Sequence, residues 1–509
     1  MSARVRPVVT CFVTRKRPDG PELLLLKRSD QVHTYRGHWA CVSGSIEGDE
    51  HPTFRAHTEL YEETQLRPPL LELVRPGPTL TFFDKMLNTQ WKVHPFLFTL
   101  SANSAEEEEI LEKLKIDWEH TVYKWIKPEE IQDYQTVPKL EKAWRRVWLR
   151  GYLEAGLNRL KNDHIRGASE LALEGLKVLR EFFDENYWRD FSLDDMWEEI
   201  LIVGWHIAKN GRPAIGAAIE SAIISTLEDI HRIHFERKNS SDPAPVDEFA
   251  LAAKETIDSH IRLELDTFDT ICDRFSEYFL NEGFRSLERE MDTDDEEPCH
   301  RLHILTLSNS STLFRCLYRI LTNPDLPVTV RLTVLESRPL YEGASFAARL
   351  LRHLPRTSRL GELEIVPDAS VAFHIPSATH VLLGADKIYR DGHVWNKTGS
   401  LAAALLANRF DVPLLVVSRT NKVVIRDIYE GMTGEENDPE ELSASWSEEI
   451  RGILEENAER VHVMNGYFEL IRNELVDGYI TEMGVMDAVD MGKIGERRKG
   501  LEQLLFGWL

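Results

Sequence analysis

The chain has 509 residues with 61 basic and 85 acidic side chains, so its formal net charge is −24 at neutral pH. Hydrophobic residues make up 42% of the chain, which is enough for packed cores and excludes a disordered composition. The length predicts roughly two to four domains. Because the acidic balance repels a phosphate backbone, we expect no direct nucleic-acid binding.

The N-terminal segment does not resemble a secretory signal, because its apolar run 8–13 is short and the basic residues 15–17 follow it. No stretch approaches the roughly 18 consecutive apolar residues that span a bilayer. We therefore expect a cytoplasmic protein with no membrane association. The cysteines are scattered and form no C-x-x-C pair, which favours reduced thiols over a zinc site.

The first region runs from Val8 to about Trp148 and alternates short β-like runs with turn signals and two helical segments. This pattern predicts an α+β domain over residues 1–150. The predicted strands are 8–14, 22–27, 91–100 and 121–126.

One helical run in this region carries Glu59, Glu62 and Glu63, whose spacing places three carboxylates on one helical face. Their mutual repulsion is unfavourable unless a cation lies among them, and a hard divalent ion such as Mg²⁺ suits carboxylate oxygens. The alternative for an isolated E-x-x-E-E is a solvated acidic face.

The surrounding residues favour the metal interpretation. The spacing from Gly44 through Glu50 to the segment 58–66, Thr-Glu-Leu-Tyr-Glu-Glu-Thr-Gln-Leu, closely resembles the Nudix box G-x5-E-x7-R-E-U-x-E-E-x-G-U, where U is aliphatic. The resemblance implies attack of water on a diphosphate linkage in a nucleotide or nucleotide-sugar substrate. It implies that Mg²⁺ or Mn²⁺ is held by Glu59, Glu62 and Glu63, and that Glu119 is a further ligand or base.

Two positions depart from the box. Thr58 stands where the family has Arg, so the usual ion pair with Glu50 is missing, and Arg55 one turn earlier is the candidate to compensate. Gln65 stands where the family has Gly, which places a side chain at a position that often needs a permissive backbone.

The next region, residues 151–298, is rich in Ala, Leu, Glu and Lys at helical spacing and is predicted to be helical, with a loop at 238–245. It ends in the acidic run 291–298, which has the composition of a solvated linker and lacks the ligand spacing of a metal loop.

The last region, residues 299–509, contains five apolar, β-branched runs at 303–307, 328–335, 363–366, 380–383 and 413–417. Helical patterns separate most of them, which predicts a mostly parallel sheet covered on both faces. Polar residues follow each run, and ligands of such sheets bind at the carboxyl ends of the strands. The alternative is that these residues only begin loops. They are Ser308-Asn-Ser, Glu336-Ser-Arg, Asp368, Gly384-Ala-Asp386 and Ser418-Arg-Thr.

Dispersed motifs between about 160 and 486 resemble the family of the alpha, beta and delta subunits of translation initiation factor 2B, ribose-1,5-bisphosphate isomerase and methylthioribose-1-phosphate isomerase. The resemblance implies a helical part followed by a Rossmann-like part, and a homodimer through the C-terminal half. The motifs are Arg166-Gly-Ala168, Gly211-Arg-Pro213, Leu305-Thr-Leu-Ser-Asn-Ser310, Glu336-Ser-Arg-Pro339, Gly384-Ala-Asp386, Asn396-Lys-Thr-Gly399, Lys422 and Thr481-Glu-Met-Gly484.

The same resemblance implies a sugar-phosphate or nucleotide pocket in which cationic side chains and glycine-rich backbone bind phosphate. It implies that Asp386 moves a proton at the ring oxygen of the sugar, with a cysteine as its partner. Ser308 occupies that position, and a hydroxyl needs an adjacent base that the motif does not contain. We therefore expect binding to be kept and isomerase chemistry to be weakened. The implied binding residues are Arg166, Gly167, Ala168, Arg212, Asn309, Ser310, Arg338, Asn396, Lys397 and Lys422.

Three functional hypotheses remain open at this point. The first is a magnesium-dependent Nudix hydrolase fused to a domain that binds a sugar phosphate or nucleotide. The second is a regulatory protein related to the initiation factor subunits, favoured by Thr58, Gln65 and Ser308. The third is a bifunctional enzyme whose hydrolase releases a sugar phosphate for an isomerase, favoured by Asp386.

Overall fold

The computed structural model describes residues 4–100, 114–163, 166–212, 216–240, 245–291, 301–425 and 437–507. Apart from Met291, the predicted acidic linker lies outside these residues. No helix in the described ranges is long and apolar enough to cross a membrane.

The first domain is a mixed sheet around one long strand, β1, which pairs antiparallel with β2 and β4 and parallel with β7. The predicted strands are all present, with ends extended by one to several residues. Strands 3 to 6 were not predicted, because the pattern of each is short or broken by turns. The strands are β1 (Arg4–Arg17), β2 (Gly20–Arg28), β3 (Trp39–Ala40), β4 (Val42–Ser45), β5 (Leu71–Pro76), β6 (Leu80–Asp84), β7 (Thr89–Leu100) and β8 (His120–Ile126).

Helix α1 (Pro52–Thr64) packs on this sheet through buried Ala56 and Leu60. The His51 side chain caps its start by accepting a hydrogen bond from Thr53 N at 3.3 Å, and Pro at the first position is pre-organised for a helix. The helix ends because Gln65 adopts a left-handed backbone conformation, with φ of 59°.

A short helix, α2 (Leu140–Arg145), leads into the helical region, which shares one apolar core apart from the second half of its last helix, where Phe275 and Phe279 pack in the core of the C-terminal sheet. The helical prediction is confirmed by long amphipathic segments whose buried faces meet. These helices are α3 (Gly151–Lys161), α4 (Ala168–Glu181), α5 (Leu193–Asn210), α6 (Ala217–Lys238) and α7 (Val246–Met291).

Buried ionic contacts join the first domain to the helical region. The Arg75 guanidinium donates to Val147 O at 3.0 Å and pairs with Glu154 of α3. Arg146, just after α2, pairs with Glu198 of α5 at 3.0 Å. Since both arginines are buried, separating the two parts would leave charges uncompensated.

The predicted parallel sheet is confirmed in the last region. Its strand order is β11-β10-β9-β12-β15-β17-β18; the pairs from β11 to β17 are parallel and β18 is antiparallel. A small separate sheet holds β13, β14 and β16. The strands are β9 (Arg301–Leu307), β10 (Thr329–Leu335), β11 (Leu360–Val366), β12 (His380–Leu383), β13 (Lys387–Ile388), β14 (Val394–Lys397), β15 (Leu414–Val417), β16 (Phe468–Ile471), β17 (Gly478–Thr481) and β18 (Gly484–Met486).

Within the sheet, β10 lies on one side of β9 and β12 lies on the other. The chain runs from β9 to β10 and β11 first, and then crosses back to β12. This reversal of direction opens a crevice at the carboxyl ends of β9 and β12, as in doubly wound folds. The helices of this region are α8 (Ser311–Leu321), α9 (Glu342–His353), α10 (Val371–His374), α11 (Ser400–Arg409), α12 (Pro439–Ser443), α13 (Glu448–Glu455) and α14 (Ala488–Phe506).

Candidate active site and phosphate-binding cavity

A cleft of about 680 Å³ in the first domain is lined by the carboxylates that the box predicts. They are Glu59, Glu62 and Glu63 of α1, and Glu119 from the turn before β8. Asp117, which was not predicted, lies beside them. One face of α1 and the turn before β8 therefore bring five acidic side chains to one wall of the cleft.

Gly44 allows α1 to approach β4 closely. A Cβ atom on Gly44 would lie 1.5 Å from Glu59 Oε1, so any other residue would displace this carboxylate. Glu59 is buried, and burial raises its pKa while the nearby Arg55 opposes that increase. The glycine of the box is therefore needed for space beside Glu59.

Glu63 is the most enclosed of the carboxylates. Its Oε1 accepts a hydrogen bond from Ser43 N at 3.2 Å, but its Oε2 is buried and accepts none from the described residues. Burial, reinforced by Glu59 and Glu119, raises the pKa of Glu63 well above its usual range. His120 Nδ1 lies 3.6 Å from Oε2, but burial lowers the pKa of this imidazole and favours its neutral form. The oxygen thus lacks the positive partner that a buried carboxylate requires.

Arg55 supplies a positive charge at the outer edge of this cluster. It forms an ion pair with Glu59 and a second at 3.8 Å with Glu62. The ion pairs of Arg55 in the structure are therefore with the metal-ligand candidates and not with Glu50. Thr58 is half-buried, and its hydroxyl donates to Phe54 O of the preceding turn at 3.1 Å.

The donor set suits a hard divalent cation, since every candidate ligand is a carboxylate. Within the described residues, no group of three acidic, histidine or cysteine side chains is already arranged to hold a metal ion. Two features explain this: Arg55 holds the Glu59 carboxylate, and the Glu62 side chain is 58% exposed. Glu63 Oε2 provides the unpartnered buried oxygen that a cation would satisfy.

The opposite part of the cleft is aromatic and basic. Trp91 Nε1 donates to Asp84 at 3.3 Å, and Arg6 lies 5.9 Å from the centre of the Trp91 ring. Arg28 donates to Thr34 O at 3.0 Å. Sequence reasoning missed this wall, because its residues come from separate strands and loops. The aromatic and basic residues are Arg6, Arg28, Tyr35, Phe82, Trp91, Trp118 and Lys139.

A second cavity, of about 630 Å³, lies at the carboxyl ends of β9 and β12. The structure brings nearly all the predicted binding residues to it: Arg166, Gly167, Ala168, Arg212, Ser308, Asn309, Ser310, Asp386, Asn396, Lys397 and Lys422. Arg338 lies outside the cavity, because its guanidinium turns away to donate to Ser445 Oγ at 2.5 Å and lies 5.5 Å from the Tyr341 ring.

Two helices begin at this cavity. Ser310 caps α8 by accepting a hydrogen bond from Leu313 N at 3.2 Å, and Gly167 precedes α4. A Cβ atom on Gly167 would lie 3.2 Å from Ser311 Oγ, so the two helix starts adjoin. Their N-terminal dipoles favour an anion here.

Ser308 lies at the end of β9 in a left-handed backbone conformation with φ of 69°. Its N–H donates to Ser337 Oγ at 2.8 Å, and its hydroxyl donates to Glu342 Oε2 at 3.4 Å. Lys397 Nζ lies 3.1 Å from the other carboxylate oxygen of Glu342. The motif around Ser308 contains no acid, but the fold places one beside it, at the first residue of α9.

Arg349 is a further cavity residue that sequence reasoning missed. It lies two helical turns after Glu342, so both side chains share one face of α9. Its Nε and Nη2 atoms are buried and have no hydrogen-bond partner among the described residues. Its guanidinium lies 4.0 Å from the centre of the Phe314 ring, and burial lowers its pKa. These free donors suit an anionic ligand.

Lys422 and Asn396 are held by short-range contacts within the cavity. Lys422 Nζ donates to Ala385 O, and burial lowers the pKa of this lysine, opposed by the nearby Asp386. Asn396 is buried and donates to Ser400 Oγ at 2.9 Å. Their orientations are therefore fixed before a ligand binds.

Cys316 does not line either cavity. It is buried on α8, and its Sγ lies 3.7 Å from Cys272 Sγ of α7. Cys316 therefore cannot replace the missing thiol at Ser308.

Two family models match the chain. The model of the initiation factor 2 subunit family covers residues 164–488, and the NUDIX domain model covers residues 4–150. The first match includes the predicted residues of the second cavity, and the second includes the carboxylate cleft. Both resemblances inferred from motifs are therefore confirmed.

Methylthioribose-1-phosphate isomerases are among the similar proteins. That of Bacillus cytotoxicus is 24% identical over 325 residues, which cover 58% of this chain and 86% of that protein. That of Geobacillus kaustophilus is 25% identical over 326 residues, covering 58% and 84%. Among solved structures, the Pyrococcus horikoshii 5-methylthioribose 1-phosphate isomerase is 18% identical, with a TM-score of 0.47 over 69% of this chain and 88% of that chain.

Proposed function

Because the chain belongs to the initiation factor 2 subunit family and carries an N-terminal NUDIX domain, we propose a hydrolase joined to a sugar-phosphate or nucleotide binding domain. The hydrolase cleaves a nucleoside-diphosphate-linked substrate and uses Mg²⁺ or Mn²⁺. The observation that carries this proposal is the buried, unpartnered oxygen of Glu63 beside Glu59 and Glu119.

Glu59, Glu62 and Glu63 would hold the metal, and Glu59 would then leave its ion pair with Arg55. A divalent ion held there would neutralise phosphate charge and lower the pKa of bound water. Glu119 accepts a proton from the attacking water. Burial and the neighbouring Asp117 raise the pKa of Glu119, which makes it a stronger base.

The aromatic wall of the cleft binds the nucleoside. Asp84 fixes the Trp91 ring by accepting its Nε1–H, so a base can stack against a ring that is already oriented. Arg28, whose described side-chain hydrogen bonds are both to Thr34, has further N–H donors for the diphosphate. The substrate thus extends from the aromatic wall to the carboxylates.

The second cavity binds a phosphorylated sugar or a nucleoside monophosphate. Its basic side chains and two helix starts provide charge and N–H donors for phosphate, and the named relatives act on methylthioribose 1-phosphate. Ser308 is a poor base in its own right, because an alcohol loses its proton much less readily than a thiol.

The hydrolase proposal is tested by incubating the full-length protein with a panel of nucleoside diphosphates and nucleotide sugars, with and without Mg²⁺. We expect metal-dependent release of a nucleoside monophosphate from at least one member. If none is cleaved but phosphorylated ligands still bind, the regulatory alternative is favoured. The homodimer through the C-terminal half and the cytoplasmic location stay predictions, the former testable by light scattering.

A further inference from the structure

In the second cavity an acidic side chain, Glu342, lies beside Ser308, the position where a thiol is missing. We infer that Glu342 is the second acid–base residue of this cavity, beside Asp386, for an aldose-to-ketose isomerisation of the kind that the name of the relatives describes. This inference rests on the proposed binding of a sugar phosphate. Ser308 is then a positioning residue, whose hydroxyl donates to the Glu342 carboxylate at 3.4 Å.

The backbone places Glu342 at the end of the sheet. Tyr341 adopts a left-handed conformation with φ of 54°, which turns the chain into α9 at Glu342. A Cβ atom on Gly343 would lie 1.8 Å from Leu335 O, so the start of α9 lies directly against the end of β10. Ser308 and Ser337 beside it also have positive φ, and such strained residues cluster at functional sites.

Both oxygens of the Glu342 carboxylate have a defined neighbour. Ser308 Oγ contacts Oε2, and Lys397 Nζ lies 3.1 Å from Oε1. The Lys397 ammonium also lies 4.6 Å and 4.7 Å from the centres of the Tyr467 and Phe468 rings, which limits where it can move. A base and a fixed positive charge therefore lie side by side.

Aldose–ketose isomerisation requires this combination. Removing a proton from carbon 2 leaves negative charge that must be stabilised as it develops, and a preorganised cation does so most effectively. Lys397 is suitably placed for that role next to the base. A carboxylate can act as the base directly, whereas a serine hydroxyl cannot.

The reaction consists of four proton transfers between the sugar and the two carboxyl groups. Asp386 donates a proton to the ring oxygen as its bond to carbon 1 breaks, and Glu342 removes the proton from carbon 2, giving an enol phosphate. Glu342 then returns a proton to carbon 1, while Asp386 takes the proton of the hydroxyl on carbon 2, which becomes the ketone. Both carboxyl groups end in their starting states, and no oxidant or cofactor is needed.

The test uses the full-length protein with methylthioribose 1-phosphate in D₂O, followed by NMR. We expect a ketose product carrying deuterium at carbon 1, because a proton held by Glu342 exchanges with solvent between the two transfers. Glu342→Gln should lower turnover about a hundredfold or more, as for the loss of a positioned base. Calorimetry should show that this variant still binds the sugar phosphate.

Four other variants make the result specific. Glu342→Asp keeps the carboxylate and should retain part of the exchange, even if Glu342→Gln is poorly folded. Ser308→Ala and Ser308→Cys should each change turnover less than about tenfold, because neither removes the base. Glu449→Gln, an exposed position on α13, is the control for charge loss in this half of the chain.

Four outcomes would overturn the inference. If wild-type protein binds the sugar phosphate but forms no ketose, Glu342 is not catalytic and the binding proposal survives. If Glu342→Gln retains turnover, another residue is the base. If it loses binding together with turnover, Glu342 is a ligand. If wild-type protein binds no sugar phosphate at all, the proposed function of the cavity fails as well.

Discussion

The two cavities present opposite charges to a phosphate group. The cleft in the first domain offers crowded carboxylates, among them a buried Glu63 oxygen that accepts no hydrogen bond from the described residues. The cavity in the C-terminal half is lined by six basic and four acidic side chains and by two adjoining helix starts. Among the described residues, two of its Arg349 donors have no hydrogen-bond partner. We therefore expect a phosphorylated ligand to bind the second cavity directly, and the cleft to need a cation between its carboxylates and the substrate.

Two sites for phosphorylated ligands can therefore differ in their chemistry. Carboxylates with a divalent ion both bind a diphosphate and activate water, so they suit hydrolysis. Arginine, lysine and helix dipoles bind phosphate without generating a nucleophile, so they suit recognition or proton transfer elsewhere on the ligand.

The largest effect is expected from metal removal. Chelation with EDTA should abolish hydrolysis of the nucleotide substrate, because the carboxylates then repel the diphosphate. Binding of a sugar phosphate to the second cavity, measured by calorimetry in the same buffer, should not change. Loss of both hydrolysis and sugar-phosphate binding on chelation would contradict a metal requirement confined to the first cleft. Restoration of hydrolysis by added Mg²⁺ is the control.

Glu63→Gln should lower hydrolysis at least about a hundredfold, as for lost metal catalysis. The amide keeps the hydrogen bond from Ser43 N but removes the charge. Glu62→Gln should have a comparable effect on turnover. Glu236→Gln, at an exposed position on α6, is the matched control. Wild-type turnover in both α1 variants would show that these glutamates do not hold a catalytic metal.

Arg349→Met should weaken sugar-phosphate binding about tenfold, which corresponds to the loss of one charge-assisted contact. Methionine keeps an apolar stem against Phe314, so the packing of α9 changes little. Arg352→Met, an exposed position on the same helix, is the control. Equal affinities for both variants would show that Arg349 does not contact the ligand.

The sequence predicted the parts of both sites that local spacing determines. Glu59, Glu62 and Glu63 lie on one face because the helical repeat places them there, and Glu119 follows from the family pattern. The five predicted strands of the parallel sheet are present because long apolar runs define buried strands.

The rest depends on contacts between residues that are distant in the chain. Glu342 reaches Ser308 only because β9 and β10 are neighbours in the sheet and α9 starts at the end of β10. Trp91 and Phe82 face the cleft because β6 pairs with β7, and β6 was not recognised in the sequence. A motif that covers one segment contains no signal for such neighbours.

Gln65→Gly should stabilise the protein by up to about 1 kcal/mol. The left-handed conformation at this helix end costs a residue with a side chain about that much relative to glycine. The thermal midpoint should therefore rise by a few degrees at most. Gln65→Ala keeps a Cβ atom at φ of 59° and should show no gain. Equal midpoints for the two variants would mean that the helix end is not strained.

The smallest effect is expected from Thr58→Arg, which restores the arginine of the box. Thr58 is half-buried and its hydroxyl donates back to Phe54 O, an interaction that slightly disfavours a helix interior. Arginine is a better helix former and can pair with Glu50, so we expect a gain of a few tenths of a kcal/mol in stability and a modest rise in hydrolysis.

Thr58→Gln separates these two contributions, because it improves helix propensity without adding charge. A rise in hydrolysis with arginine alone would show that orienting Glu50 matters for turnover. Equal rises would attribute the effect to the helix itself. A loss with arginine alone would mean that a second guanidinium competes with Arg55, whose ion pairs with Glu59 and Glu62 already balance this wall of the cleft. In that case Arg55, one turn before Thr58, already supplies the positive charge that the box arginine provides in the family. A second arginine at position 58 would then disturb the site.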